Sequence, residues 1–193
     1  MSEVKVYIAK NEVDSSDAQW QNEMGKVLLK RGLRDWLCDE NFVPNVKEAK
    51  GGKPYLVNCD LHFNISHSQR YVVCAIGEVE LGIDVQFHKR NNVDAVAKKI
   101  MSEVEWQGYQ EASDKANYFY DLWARKESFL KFTGDGIISD MHMLDINARV
   151  QEIAVEENYS CMLCTADELS TIIKPIMNVR RFSMHSAARV GFK

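Results

Sequence analysis

Polar and apolar residues alternate along Leu61-His62-Phe63-Asn64-Ile65-Ser66-His67-Ser68. Leu61, Phe63 and Ile65 fall on one side, His62, Asn64 and Ser66 on the other. A period of two predicts a half-buried strand that ends in polar residues, with Ser66 and His67 in the loop at its end. Residues 71–76 form a second apolar run after a turn at Ser68-Gln69-Arg70, so the two predict a hairpin. Residues 81–87 predict a third strand, with Ile83, Val85 and Phe87 on one face and Gly82, Asp84 and Gln86 on the other. The bare Gly82 leaves room for something bulky beside Asp84. Residues 4–9 read as an opening strand, and residues 141–146, 159–165 and 172–179 as later ones. Residues 41–53 read as a loop closed by Gly51-Gly52-Lys53-Pro54.

Helical spacing appears elsewhere. Ser15, Ser16 or Asp17 caps a predicted helix over 18–37, where Lys26, Lys30, Arg31 and Arg34 form either a solvated face or a surface for phosphate or an acidic partner. A short helix is predicted over 93–101, and Ser102 caps another that runs to about 109 or 112. Residues 117–133 contain no Gly or Pro and predict the helix around which the chain is organised; a Gly134-Asp135-Gly136 turn follows. Phe119, Leu122, Trp123, Phe129 and Leu130 share one arc of this helix, with Glu127 and Lys131 four apart at its edge. Lys126 lands within the apolar arc, where an unpaired ammonium is costly; the helix is crowded on most sides, or Lys126 has a fixed partner.

Composition narrows the classes. The 193 residues are 46% hydrophobic and 27% charged, enough for one large domain or two small halves sharing a core. A net charge of −4 gives no bulk basic field for nucleic acid. No apolar run approaches a membrane span, and the N-terminus lacks the apolar stretch of a signal peptide, so the expected location is the cytoplasm. Of the five cysteines, Cys161 and Cys164 have metal or redox spacing but no second pair, and sit in a strand-like run; core cysteines are the expectation.

The remaining chemistry is oxygen and charge. Asp84 and Gln86 share a strand face, Glu127 and Lys131 a helix strip, and Ser66 and His67 a strand end. Mg²⁺ favours one or two carboxylates together with substrate phosphates. Asp84 and Glu127 supply two carboxylates, while Lys131 and His67 offset a diphosphate's charge and Ser66 donates a hydrogen bond. Such a set suits phosphoryl-type transfer, which rests on positioning and charge neutralisation. Taken singly, each residue also fits a surface ion pair or a turn.

In this order Gly52-Lys53-Pro54, Phe63-Asn64-Ile65-Ser66-His67-Ser68, Gly82-Ile83-Asp84 and Trp123-Ala124-Arg125-Lys126-Glu127-Ser128-Phe129-Leu130-Lys131 resemble the 4′-phosphopantetheinyl transferases, in their larger pseudo-dimeric type. The likeness spans residues 51–136. It implies an α+β fold of two similar halves about a pseudo-twofold axis, approximately 1–79 and 80–193, acting as a single unit and as a monomer. It also implies transfer of the phosphopantetheine arm of coenzyme A to a serine of an acyl, peptidyl or polyketide carrier protein, with release of adenosine 3′,5′-bisphosphate. By motif, Lys53 and Pro54 lie near the adenine, Ser66 and His67 hold phosphates, Asp84 and Glu127 bind Mg²⁺, and Lys131 contacts the diphosphate. Glu127 or a water held by the metal takes the serine proton. Many relatives of this type have an acid where this chain has Gln86, whose carbonyl oxygen brings no charge to the metal; weaker Mg²⁺ binding, or a water in that position, is expected rather than lost activity. The segment before the first long helix, where larger relatives place basic residues that grip the 3′-phosphate, is short; Lys26 or Lys30 is the expected substitute. The competing expectation is a coenzyme A-binding protein without chemistry.

Overall fold

The computed structural model describes residues 2–13, 17–89, 92–136, 140–167 and 170–179. Strand β1 (Glu3–Asn11) lies in the middle of a five-stranded sheet. On one side it pairs antiparallel with β5 (Tyr71–Gly77), which pairs with β4 (His62–Ser68). On its other side β9 (Ser170–Ile173) and β10 (Met177–Val179) run parallel to it. The turn of the β4–β5 hairpin is at Gln69-Arg70, with Gln69 at φ 50. Helix α1 (Ala18–Leu37) is capped by Asp17, whose carboxylate accepts from the amides of Gln19 and Trp20. It buries Trp20, Met24, Leu28 and Leu33 against Tyr7, Val72, Cys74 and Ile76. Ser15 and Ser16, the other candidate caps, lie outside the described residues.

The second sheet orders β6 (Leu81–Phe87), β8 (Tyr159–Thr165) and β7 (Arg149–Glu152), all antiparallel. Its inner face joins the first sheet in one core: Val4, Val6, Ile8 and Val73 meet Leu81, Ile83, Val85 and Leu163. Alternation along β6 therefore runs as its sequence predicts, with Ile83 and Val85 inward. Helix α4 (Lys115–Thr133) covers the outer face of β6 and β8. The layers are thus α1, first sheet, second sheet and α4. Smaller pieces flank them: a hairpin of β2 (Val46–Glu48) and β3 (Pro54–Leu56), and helices α2 (Asp94–Ile100) and α3 (Glu103–Glu111). Ser102 and Glu105 form a reciprocal capping box at the start of α3.

The two sheets also meet along one edge. The amide N–H groups of Ile83, Val85 and Phe87 on β6 donate to Asn64 Oδ1 (3.0 Å), Ser66 Oγ (3.2 Å) and Ser68 Oγ (2.9 Å) on β4. Each rung spans 19 residues, so the side chains of one strand satisfy the backbone of the other in a constant register. Two edge strands are closed without a backbone ladder.

The structure corrects several expectations. Ser66 and His67 lie within β4, not in a loop after it. Residues 141–146 are not a strand: a 3₁₀ turn occupies Met141–Met143, and the Met141 carbonyl accepts from buried Lys126. The predicted strand over 172–179 is two strands; Pro175 between them has no amide to donate to a ladder. Both belong to the sheet of β1 rather than that of β6. The loop over 41–53 contains β2. Arg180 and Arg181 lie outside the described residues.

Candidate functional site

Helix α4 begins at Asp114, whose side chain accepts from the Asn117 amide, and ends at Gly134 with φ 80, a left-handed cap that glycine adopts without strain. Phe119, Phe129 and Leu130 are buried, and so are Lys126 (0% exposed), Glu127 (8%) and Ser128 (0%). Both alternatives for Lys126 hold. The helix is enclosed on most sides, and Lys126 Nζ has two partners, Glu105 Oε2 at 2.9 Å and the Met141 carbonyl at 2.9 Å. Lys126 therefore ties α4 to α3 and the 3₁₀ turn.

Gly82 sets how closely α4 approaches β6. A Cβ there would lie 2.1 Å from the Ser128 carbonyl oxygen and 2.3 Å from the Phe132 nitrogen. Only the missing side chain lets helix backbone rest on strand backbone. That contact brings Lys131 over Asp84. Lys131 Nζ donates to Asp84 Oδ1 at 2.6 Å, to Ser66 Oγ at 3.0 Å and to the Ile83 carbonyl at 3.2 Å. Asp84, 2% exposed, also accepts from Ser66 Oγ (2.8 Å, at Oδ1) and from Gln86 Nε2 (2.7 Å, at Oδ2). Ser66, Asp84, Gln86 and Lys131, expected from three separate motifs, form one hydrogen-bonded cluster.

Glu127 lies one helical turn before Lys131. Its Oε1 is buried and has no hydrogen-bond partner. Burial, then the like charge of Asp84, push its carboxyl pKa above the usual 4.5, while Lys131 opposes them. A carboxylate enclosed beside another carboxylate with one bare oxygen has an unmet demand for positive charge. Among the described residues no group of three or more His, Cys, Asp and Glu side chains is arranged to hold a metal. Any cation here would rely on Asp84, Glu127 and the amide carbonyl of Gln86.

The other candidates lie at the periphery. His67 is exposed, and strand alternation turns it away from the face that Ser66 shares with Asn64. Partial burial, then the charge of Lys131, lower its pKa, while Asp84 raises it. Lys53 Nζ donates to the Phe132 carbonyl (2.8 Å) and pairs with Glu80 (2.6 Å), fastening the 49–53 loop to the last turn of α4. Pro54 opens β3, half-buried, next to exposed Tyr55. Lys26 pairs with Glu23 on the exposed face of α1, and Arg34 donates to the Phe42 carbonyl (3.1 Å). Cys161 and Cys164 are buried, and burial pushes both thiols up, as core cysteines require. Asn64 and Ser68 carried no assignment from the sequence. Their signal was present, since every second residue of β4 can accept a hydrogen bond.

Residues 80–173 match the family model described as the 4′-phosphopantetheinyl transferase superfamily. A 4′-phosphopantetheinyl transferase of Bacillus subtilis is 43% identical over 89 residues, covering 45% of this chain and 39% of the relative. The transferase Sfp of the same species is 39% identical over 118 residues (59% and 52%), and the transferase gsp of Aneurinibacillus migulanus 33% over 128 residues (65% and 52%). The chain spans about half the length of the curated relatives it matches. Among the described residues, no helix is long and apolar enough to cross a membrane.

Proposed function

We propose that the protein transfers the 4′-phosphopantetheine arm of coenzyme A to a serine of an apo carrier protein, giving the holo carrier and adenosine 3′,5′-bisphosphate. The observation that carries this reading is the bare, buried Oε1 of Glu127 beside Asp84 and Lys131. Two carboxylates and an ammonium carry one net negative charge when all are ionised, which suits a dication together with a diphosphate. The unpartnered oxygen lacks a positive partner, so the residues present fit a magnesium ion. Asp84, Glu127 and the Gln86 carbonyl would hold the ion, which when bound would neutralise charge developing on the diphosphate.

The protein's own residues do the rest. Lys131 exchanges one of its three internal bonds for a diphosphate oxygen. The ladder between β4 and β6 fixes Asp84 beneath it. Glu127, whose pKa is raised by burial and by the charge of Asp84, accepts the proton of the attacking serine. The serine oxygen forms the new phosphorus–oxygen bond as the bond to adenosine 3′,5′-bisphosphate breaks. Lys53 and Pro54 flank the adenine, and His67 meets phosphate from the opposite, exposed face of β4. Each half, about 1–79 and 80–193, supplies a long helix packed on a sheet, which supports a pseudo-twofold arrangement, with β9 and β10 of the second half crossing to the sheet of β1. A single monomeric unit in the cytoplasm completes the proposal. The carrier is of acyl, peptidyl or polyketide type.

Incubation with coenzyme A, Mg²⁺ and a panel of apo carrier proteins tests the proposal. A mass gain equal to phosphopantetheine on at least one carrier is the expected result. Binding of coenzyme A with no mass gain on any carrier would leave a non-catalytic binding protein and overturn it.

A further inference from the structure

We propose that Gly51 is a positioning residue that seats the 49–53 loop on the end of α4, and so sets the span between the adenine and Lys131. The loop is a closed turn. The Ala49 amide donates to the Lys53 carbonyl and the Gly52 amide to the Ala49 carbonyl, both at 2.9 Å, with Gly52 at φ 82. Closed twice, it shifts as one piece. A Cβ on Gly51 would lie 2.6 Å from the Gly134 carbonyl oxygen, closer than side chains approach backbone. The stem of Lys53 runs past the same residue, with Cδ 3.4 Å from a Cβ built on Gly134, and its Nζ reaches the Phe132 carbonyl at 2.8 Å. The loop thus meets the end of the helix at two points. Gly51 lies outside the Gly52-Lys53-Pro54 motif.

The helix side of this seat cannot give. Gly134 closes α4 in the left-handed cap, with its amide on the Leu130 carbonyl at 2.9 Å. Helix α4 is itself pressed on β6 at Gly82 and pinned through Lys126 to Glu105. Lys131 stands three residues before Gly134 on that helix. A methyl group at position 51 would therefore drive the loop outward by about 0.8 Å (3.4 − 2.6) and leave Lys131, Asp84 and Glu127 in place. A ligand held only by its phosphates would not feel the shift. A ligand that must reach both the loop and Lys131 would.

This rests on the reading that Lys53 and Pro54 flank the adenine, and calorimetric titrations in Mg²⁺ separate the two. Gly51→Ala should weaken coenzyme A and adenosine 3′,5′-bisphosphate roughly tenfold, the scale of one lost polar contact, and leave inorganic pyrophosphate within about twofold. In carrier loading, KM for coenzyme A should rise by a similar factor while kcat stays within about twofold, since the contact is lost equally from the bound and the transition state. Glu80→Gln loosens the same seat without adding an atom, because Glu80 pairs with Lys53 at 2.6 Å from an exposed position. It should show the same split at about threefold, and it carries the comparison should Gly51→Ala not fold. Unchanged affinity for coenzyme A, or equal losses for coenzyme A and pyrophosphate, would overturn the inference. A fall in kcat with KM unchanged would do so too, since the helix and not the loop would then have moved. A wild type that binds coenzyme A no more tightly than pyrophosphate would overturn the adenine reading itself, and this inference with it.

Discussion

Gly82→Ala tests how the site is assembled. The added Cβ would meet the Ser128 carbonyl oxygen at 2.1 Å, the Phe132 nitrogen at 2.3 Å and the Lys131 carbonyl carbon at 2.9 Å. All three are backbone atoms of one helix, so no side chain can swing aside. Ordinary contact begins at 3.4 Å, so α4 must retreat by about 1.3 Å (3.4 − 2.1). Carried with the helix, the Lys131–Asp84 contact of 2.6 Å would open to about 3.9 Å, beyond hydrogen-bonding distance. Overpacking costs about 1–3 kcal/mol, and rigid partners put this case at the upper end. For a chain of this size that is a fall in Tm of roughly 5–10 °C. A displacement near 1 Å at reacting groups lowers kcat roughly 100-fold. Gly25→Ala is the control. Its Cβ would meet only side-chain carbons of Ile65, the nearest at 3.2 Å, and alanine favours helix, so stability and kcat should both hold. Thermal melts and initial rates of carrier loading measure the two effects. A Gly82→Ala protein with the wild-type Tm and kcat would refute the close approach of α4 to β6 as the basis of the site.

Three further outcomes follow from the same geometry. Gln86→Glu adds charge beside Asp84 and should tighten Mg²⁺ binding in a calorimetric titration; unchanged affinity would mean that position 86 does not reach the ion. Glu127→Gln should abolish carrier loading yet stabilise the metal-free protein at pH 7. The folded carboxyl has a raised pKa, so its favourable contribution is complete only below the usual 4.5 and is lost as pH rises through the folded value. Urea melts in chelator at pH 7 and pH 5 check this, and a Gln variant less stable than wild type at pH 7 would contradict it. Glu156 is the opposite case. Hydrogen bonds from Lys10 and from Arg70 lower its pKa from 4.5 to about 2, so its contribution is complete above 4.5 and disappears as pH falls towards 2. Glu156→Gln should therefore lose stability at pH 6 and converge on wild type near pH 2 in melts across that range; a gap independent of pH would rule the pairing out.

Legibility in the sequence followed locality. Alternation from Leu81 to Phe87 was enough to place Asp84 opposite the core, because side-chain direction in a strand is set by the backbone alone. Helix α4 was equally plain, since its apolar arc and the absence of Gly and Pro are local properties. The 141–146 segment misled for the same reason. Its apolar and polar residues alternate as a strand does, but Met143 is exposed and the Met141 carbonyl is taken by Lys126, a partner 15 residues away. Strands β9 and β10 were legible as strands, while their pairing with β1 was not, because no local pattern encodes which distant edge a strand joins.

The same limit holds at the site itself. The sequence supplies Ser66 as a polar residue at the end of a strand, and a polar residue there suggests a ligand contact. What its hydroxyl touches in the folded chain, the Val85 amide, Asp84 and Lys131, depends on β6 and α4 arriving from elsewhere in the chain. Asn64 and Ser68 share the pattern of Ser66 and differ only in what lies above them. Glu127 presents the converse. Its spacing from Lys131 suggests an ion pair within one helix, yet Gly82 draws Lys131 onto Asp84 and leaves Glu127 Oε1 bare. The bare oxygen of this acid reflects a missing partner, and the residue that removes the partner is a glycine on another element.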